Sequence, residues 1–99
     1  MLNQYIIELD LPPVLSAEFT ALIPAQRAKV NELMHNGDIR SYALAIDRAR
    51  LWVVMIAKDE LHLRELLAGF PIIDFCQFTI TELLFHDMAS HELPRMSMN

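Results

Sequence analysis

The sequence contains a single cysteine, only two glycines and no long apolar run. The lone Cys76 excludes an intramolecular disulfide and is compatible with a reducing cytosol. The longest unbroken apolar stretch, residues 51–57, is far shorter than the roughly 20 residues of a membrane-spanning helix. The N-terminus lacks the basic start and long apolar core of a secretory signal. We therefore expect a soluble, cytoplasmic protein without a membrane partner.

Basic residues are also few, with 8 Lys and Arg against 13 Asp and Glu and a formal net charge of −5. Nucleic-acid binding needs clustered basic side chains, and here they are scattered, so we expect no nucleic-acid partner. Glycine-rich phosphate loops, serine elbows and paired-cysteine metal motifs are missing. The spacing of His86, His91 and Glu92 matches no common metal site. We expect no metal and no cofactor, so that any catalysis would use simple acid–base groups.

What the sequence does contain is a central pair of strand-like segments. Residues 39–46 and 51–57 are rich in β-branched, aromatic and aliphatic side chains. The short, mostly polar segment 47–50 between them is suited to a hairpin turn. These features predict two antiparallel strands at the centre of one small domain.

A further strand is predicted at each end of this domain. Residues 2–9 alternate, with Tyr5, Ile7 and Leu9 on one face, and the following prolines end the strand. Residues 75–85 form the last predicted strand, which has one apolar face and one half-polar face. The half-polar face carries Gln77, Thr79, Thr81 and Leu83. Such a face favours exposure to a subunit interface or a wet cavity.

The first predicted helix begins after Ser16, a suitable N-cap, and runs to about Asn36. Pro24 interrupts its apolar stripe, because proline lacks an N–H and its ring clashes with the preceding turn. Either the helix kinks there or a main helix starts with Pro24 as its first residue. We favour a break, and we expect Gly37 to close the helix in a left-handed conformation.

The second predicted helix follows Asp59, another suitable N-cap. Its apolar residues recur at helical spacing, and Gly69 and Pro71 stop it. Both glycines of the chain thus lie where a helix is expected to end.

The order strand, helix, strand, strand, helix, strand predicts an α+β, ferredoxin-like βαββαβ fold. In that fold a four-stranded antiparallel sheet carries both helices on one face. We assign residues 1–87 to this domain and residues 88–99 to a C-terminal tail. The other sheet face would be open to water, so we expect a second copy to cover it, in a homodimer or larger homo-oligomer.

Five residues are candidates for a functional site. Gln26 falls on the apolar stripe of the first helix, where an amide must find a partner or face a cavity. Arg27 beside it is either a ligand contact or a solvated surface residue. Arg40 and Tyr42 alternate with Ser41, so we expect them on one face, where arginine can pair with a carboxylate. His86, at the sheet edge, is a candidate general acid or base.

The segments ELMHNGDIRSYALA and LLAGFPIIDFCQFTITELLFH resemble the muconolactone isomerase family, within the dimeric α+β barrel superfamily. The resemblance covers about residues 11–86, and its recognisable parts are Gly37 to Arg40 and the Phe70-Pro71 step. It implies sheet-to-sheet pairing of two protomers, with a pocket near their boundary. It also implies cofactor-free isomerisation of a small unsaturated lactone that carries a carboxylate.

In the family's isomerases, the turn corresponding to residues 23–27 is richer in charged side chains. This chain has Gln26 there, and an amide cannot act as a carboxylate base. Arg40 matches the family's arginine. Three hypotheses follow: an isomerase-like protein that binds a small anionic or aromatic-derived molecule with or without turnover, a non-catalytic oligomeric module, or a cofactor-independent monooxygenase.

Overall fold

The computed structural model describes residues 2–87, so the predicted tail lies outside the described residues. Four strands and three α-helices make up the fold. The strands are β1 (Asn3–Asp10), β2 (Ile39–Leu44), β3 (Arg50–Ala57) and β4 (Gln77–Leu83). The helices are α1 (Ala17–Ala21), α2 (Ile23–Asn36) and α3 (Glu60–Ala68), and a 3-10 turn spans Ile73–Phe75.

The strands form one antiparallel sheet in the order β2-β3-β1-β4. On the central strand β1, Ile7 lies opposite Val53 of β3 on one side and Ile80 of β4 on the other. The side chains of this face pack with those of α2 and α3 in one buried core. The predicted ferredoxin-like α+β fold, with both main helices on one sheet face, is confirmed.

The opposite sheet face has no helix packed on it within residues 2–87. Its centre is apolar, with Ile6 of β1 directly opposite Val54 of β3. We call this surface the open face; its central strands carry Gln4, Ile6, Glu8, Asp10, Trp52, Val54 and Ile56. At one end of it, Arg50 forms ion pairs with Glu8 and Asp10, both at 3.1 Å. None of the helices described is both long and apolar enough to span a bilayer.

The expected break in the first helical region is confirmed. Ser16 caps α1 by accepting a hydrogen bond from the Phe19 N–H, and α1 ends at Ala21. Leu22 then links α1 to α2, and Pro24 lies in the first turn of α2. Amide groups in a first turn have no acceptor within their own helix, so a proline there removes no hydrogen bond.

In the β2–β3 hairpin, the first strand is two residues shorter than the predicted 39–46, whereas the second begins one residue earlier than the predicted 51–57. β2 ends at Leu44, because the Ala45 carbonyl accepts the Arg48 N–H and starts the turn. Arg48 adopts a left-handed conformation with φ of 63°, and the Asp47 carboxylate accepts the next N–H, from Ala49. β4 likewise begins at Gln77, after the 3-10 turn.

The hairpin also contains a bulge that the sequence did not predict. Ile39 pairs with Met55, but Ser41 already pairs with Val54, so Arg40 is an extra residue in β2. The bulge shifts the alternation of all later residues of this strand by one position. Tyr42 therefore lies opposite Val53 and packs against the core.

The two glycines give a matched test of helix termination. Gly37 has φ of 86°, whereas Gly69 ends α3 with φ of −83°. We expect Gly37→Ala to lower the free energy of unfolding by about 1–2 kcal/mol, because a Cβ disfavours the left-handed region. Gly69→Ala should change it by less than about 1 kcal/mol, since its Cβ would make ordinary contacts at 3.4 Å. Urea unfolding measures both; equal losses would contradict this explanation.

Candidate functional site

Gln26 is the buried polar residue around which the candidate site is built. Only 4% of its surface is exposed, although it lies in the first part of α2, next to the exposed Arg27. Its Oε1 accepts a hydrogen bond from the Ile72 N–H at 3.4 Å, and its Nε2 donates to the Tyr42 Oη at 3.5 Å. The amide thus joins α2 to β2 and to the segment before β4. As expected for a buried amide, both its oxygen and its nitrogen have a hydrogen-bond partner.

Tyr42 is half-buried beside this amide. Burial raises the pKa of its hydroxyl above the ordinary value, and the hydrogen bond from Gln26 opposes part of that rise. The positive charge of Arg27 also opposes it, more weakly. At neutral pH the hydroxyl is therefore protonated and can donate a hydrogen bond.

A shallow groove of about 340 Å³ lies between α2 and β2. We call it the α2–β2 groove; it is lined by Arg27, Val30, Asn31, Met34 and Tyr42. The other helical residues lie three, four and seven positions after Arg27, so one stripe of α2 forms its wall. The groove brings a guanidinium, a phenol and two apolar side chains to one surface.

The structure brings together Gln26, Arg27 and Tyr42 of the predicted site residues. Arg40 is exposed and does not line the groove. The prediction that Arg40 and Tyr42 share a face depended on uninterrupted alternation, and the bulge at Arg40 removes that basis. A ligand-binding role for Arg40 stays a prediction that depends on the family resemblance.

His86 lies just beyond the end of β4, whereas Gln26 contacts Ile72, which precedes the start of that strand. The seven residues of β4 separate the two regions by about 20 Å. Within one protomer, the two candidate catalytic residues therefore lie at opposite ends of the sheet. They do not share a groove.

Cys76 lies near Gln26 and has little nucleophilic character. Its Sγ–H donates to the Ile72 carbonyl at 3.4 Å. Burial, with a smaller contribution from the charge of Asp10, raises the pKa of Cys76 to about 11. The side chain is thus a neutral thiol at physiological pH, as expected for a small, partly buried packing residue.

Sequence reasoning missed Asn31 and Met34 as groove residues. Both follow Arg27 on one helical face, at four and seven positions along α2, and this spacing was a usable signal. It also missed the Ile72 N–H, which no sequence pattern marks. Within residues 2–87, no group of three or more His, Cys, Asp or Glu side chains is arranged to hold a metal ion.

Three solved structures share the fold. MtbAldR (Rv2779c) matches with a TM-score of 0.58 and 14% identity, over 90% of this chain and 57% of that one. The uncharacterized protein TM1266 from Thermotoga maritima matches with a TM-score of 0.51 and 18% identity, over 84% of this chain and 99% of that one. Rv0793 from Mycobacterium tuberculosis matches with a TM-score of 0.50 and 17% identity, over 89% of this chain and 99% of that one. This chain thus spans little more than half the length of MtbAldR, and the likenesses concern the fold alone.

A comparison with curated protein sequences finds no match. The model of the family described as muconolactone delta-isomerase, however, matches residues 1–89. That range contains both segments on which the resemblance was based, together with the α2–β2 groove. Because the match covers nearly the whole sequence, the chain belongs to the muconolactone delta-isomerase family.

Proposed function

We propose that this protein binds a small unsaturated lactone that carries a carboxylate, and that it does so in the α2–β2 groove. The observation that carries the proposal is that Arg27 and Tyr42, a cation and a protonated donor, line one concave surface in a chain of this family. A carboxylate can pair with the Arg27 guanidinium in bidentate fashion. A carbonyl oxygen can accept from the Tyr42 hydroxyl, while Val30 and Met34 contact the apolar part of the ring.

The groove supports binding more strongly than turnover. A proton shift next to a carbonyl needs a base, together with donors that stabilise the enolate. Tyr42 and Arg27 are suitable donors, but a guanidinium is no base, and burial raises the pKa of the Tyr42 hydroxyl, which keeps its proton at neutral pH. The remaining polar residue of the lining, Asn31, carries an amide, which is not basic, and the same holds for Gln26, which contacts Tyr42. Turnover would therefore need a base from outside the groove. His86 could supply it only from a second copy, because within one protomer it lies at the other end of the sheet.

The test is proton NMR of muconolactone incubated with the protein in heavy water. Line broadening or shifts of the lactone signals would establish binding, and deuterium uptake or double-bond migration would establish isomerase chemistry. If neither effect is observed at high protein concentration, the proposal is contradicted. Substrate-dependent oxygen uptake would instead support the monooxygenase alternative.

The groove predicts which arginine binds the carboxylate. We expect Arg27→Ala to weaken muconolactone binding about five- to tenfold, since it removes a charge-assisted contact at a solvated site. Arg40→Ala is the matched control. It also removes an exposed arginine side chain, but one that lies outside the groove, so it should change the affinity less than about twofold. Calorimetric titration measures both. A larger loss from Arg40→Ala would favour the assignment drawn from the family resemblance.

We also propose that the protein is a homodimer, or a larger homo-oligomer, that covers the open face. The apolar centre formed by Ile6, Trp52, Val54 and Ile56 supports this. Val54 is already buried in a single copy, but Ile6, Trp52 and Ile56 are each partly exposed there, and a partner would cover them. This surface also favours the oligomeric module as the second candidate function. In that case the dimer would form, but the groove would bind no lactone.

A further inference from the structure

The orientation of the Gln26 amide is fixed by chemistry. Amide oxygen and nitrogen look alike in shape, so a neighbour of known type must distinguish them. The Ile72 backbone N–H can only donate, and therefore the Gln26 atom that faces it, at 3.4 Å, must be the oxygen. The Gln26 NH₂ group consequently points the other way, toward the Tyr42 Oη at 3.5 Å.

The same reasoning then fixes the direction of the Tyr42 hydroxyl. An amide NH₂ group can only donate, so the Tyr42 oxygen must accept from it. The hydroxyl proton is then directed away from Gln26. Tyr42 lines the α2–β2 groove together with Arg27, so an acceptor in the groove can receive this proton.

We propose that Gln26 is a positioning residue that makes the Tyr42 hydroxyl a donor toward the groove. The proposal depends on the function proposed above and deepens it by naming the ligand group at this position. That group is an acceptor oxygen, such as a lactone carbonyl or a carboxylate. An ammonium or amide N–H placed there would meet the hydroxyl proton, so ligands of that class are disfavoured.

A double-mutant cycle with muconolactone as the probe tests the link between the two side chains. Gln26→Met keeps the approximate volume and removes both hydrogen bonds, whereas Tyr42→Phe removes the hydroxyl alone. We expect Gln26→Met to weaken binding about three- to tenfold when Tyr42 is present. In the Tyr42→Phe background the same change should have no effect. An equal loss in both backgrounds would mean that Gln26 only stabilises the fold, and would overturn the proposal.

A second measurement needs no ligand. Tyrosine labelled with carbon-13 at Cζ reports ionisation of each ring by NMR, and the Tyr42→Phe spectrum assigns the signal. Donation from Gln26 stabilises the phenolate, so Gln26→Met should raise the pKa of Tyr42 further. An unchanged pKa would overturn the proposal. Because this arm is independent of binding, failure of muconolactone to bind would contradict the proposed function without deciding the role of Gln26.

Gln26→Glu provides a third arm if Gln26→Met does not fold. A protonated carboxylic acid can accept from Ile72 and donate to Tyr42, as the amide does, but an ionised one can only accept. The Tyr42 proton would then turn toward residue 26. We expect the affinity of Gln26→Glu for muconolactone to fall as the pH rises, against a flat wild-type profile over the same range. Parallel profiles would overturn the proposal.

Discussion

Replacement of Leu63 by alanine is expected to lower the free energy of unfolding by about 2–5 kcal/mol. Leu63 lies on α3 and is 0% exposed in the core between helices and sheet. The truncation removes apolar atoms from a close-packed environment and leaves a cavity that the surrounding side chains fill only in part. Urea unfolding followed by circular dichroism measures the loss.

Leu61 supplies the control for this prediction. It lies on the same helix, two positions earlier, and is 69% exposed. Leu61→Ala makes the same chemical change with the same effect on helix propensity, but it removes little buried surface. We expect a change of less than about 0.5 kcal/mol. Similar losses from both variants would mean that α3 does not bury the face described here.

The second large effect concerns the open face. We expect light scattering to give at least twice the protomer mass of 11.4 kDa at micromolar concentration. Ile6→Lys should then raise the dissociation constant about 30-fold or more, because it places an unpaired charge at the centre of an apolar interface. Ile6 lies on the central strand β1, between Val54 and Thr81 of its neighbours.

Leu61→Lys is the matched control for this surface. It introduces the same charge on an exposed leucine of α3, which packs on the opposite side of the sheet. Its dissociation constant should equal that of the wild type. A clean monomer mass for the wild type would contradict the proposed dimer. Equal assembly of Ile6→Lys and the wild type would show that the interface lies elsewhere.

The fold was predictable because its local signals agree with its global pattern. Ser16 and Asp59 were expected to cap helices, and each side chain accepts an N–H at a helix start. Gly37 was expected to adopt a left-handed conformation, and it does. These signals act over three or four residues, so they can be read from one sequence. The alternation of β1 was equally local, and its buried face is the predicted one.

The site was only partly predictable, because its contacts join distant parts of the chain. The partner that orients Gln26 is the N–H of Ile72, 46 residues away. Every residue except proline has such a group, so the sequence gives no reason to select it. The bulge at Arg40 was hidden for a different reason. Ile39, Tyr42 and Leu44 fit a strand with or without an extra residue, and only pairing with β3 decides the register.

The bulge also affects how readily the sheet can pair with a further strand at its edges. β2 and β4 are its two edge strands, and among residues 2–87 no further strand pairs with the outer edge of either one. In β2 the extra residue disrupts the regular spacing of the backbone groups, so an incoming strand cannot pair in continuous register. β4 has no such interruption in its pairing with β1. Of the two edges described, that of β4 is therefore the more regular template for an added strand, and the bulge at Arg40 makes β2 the poorer one.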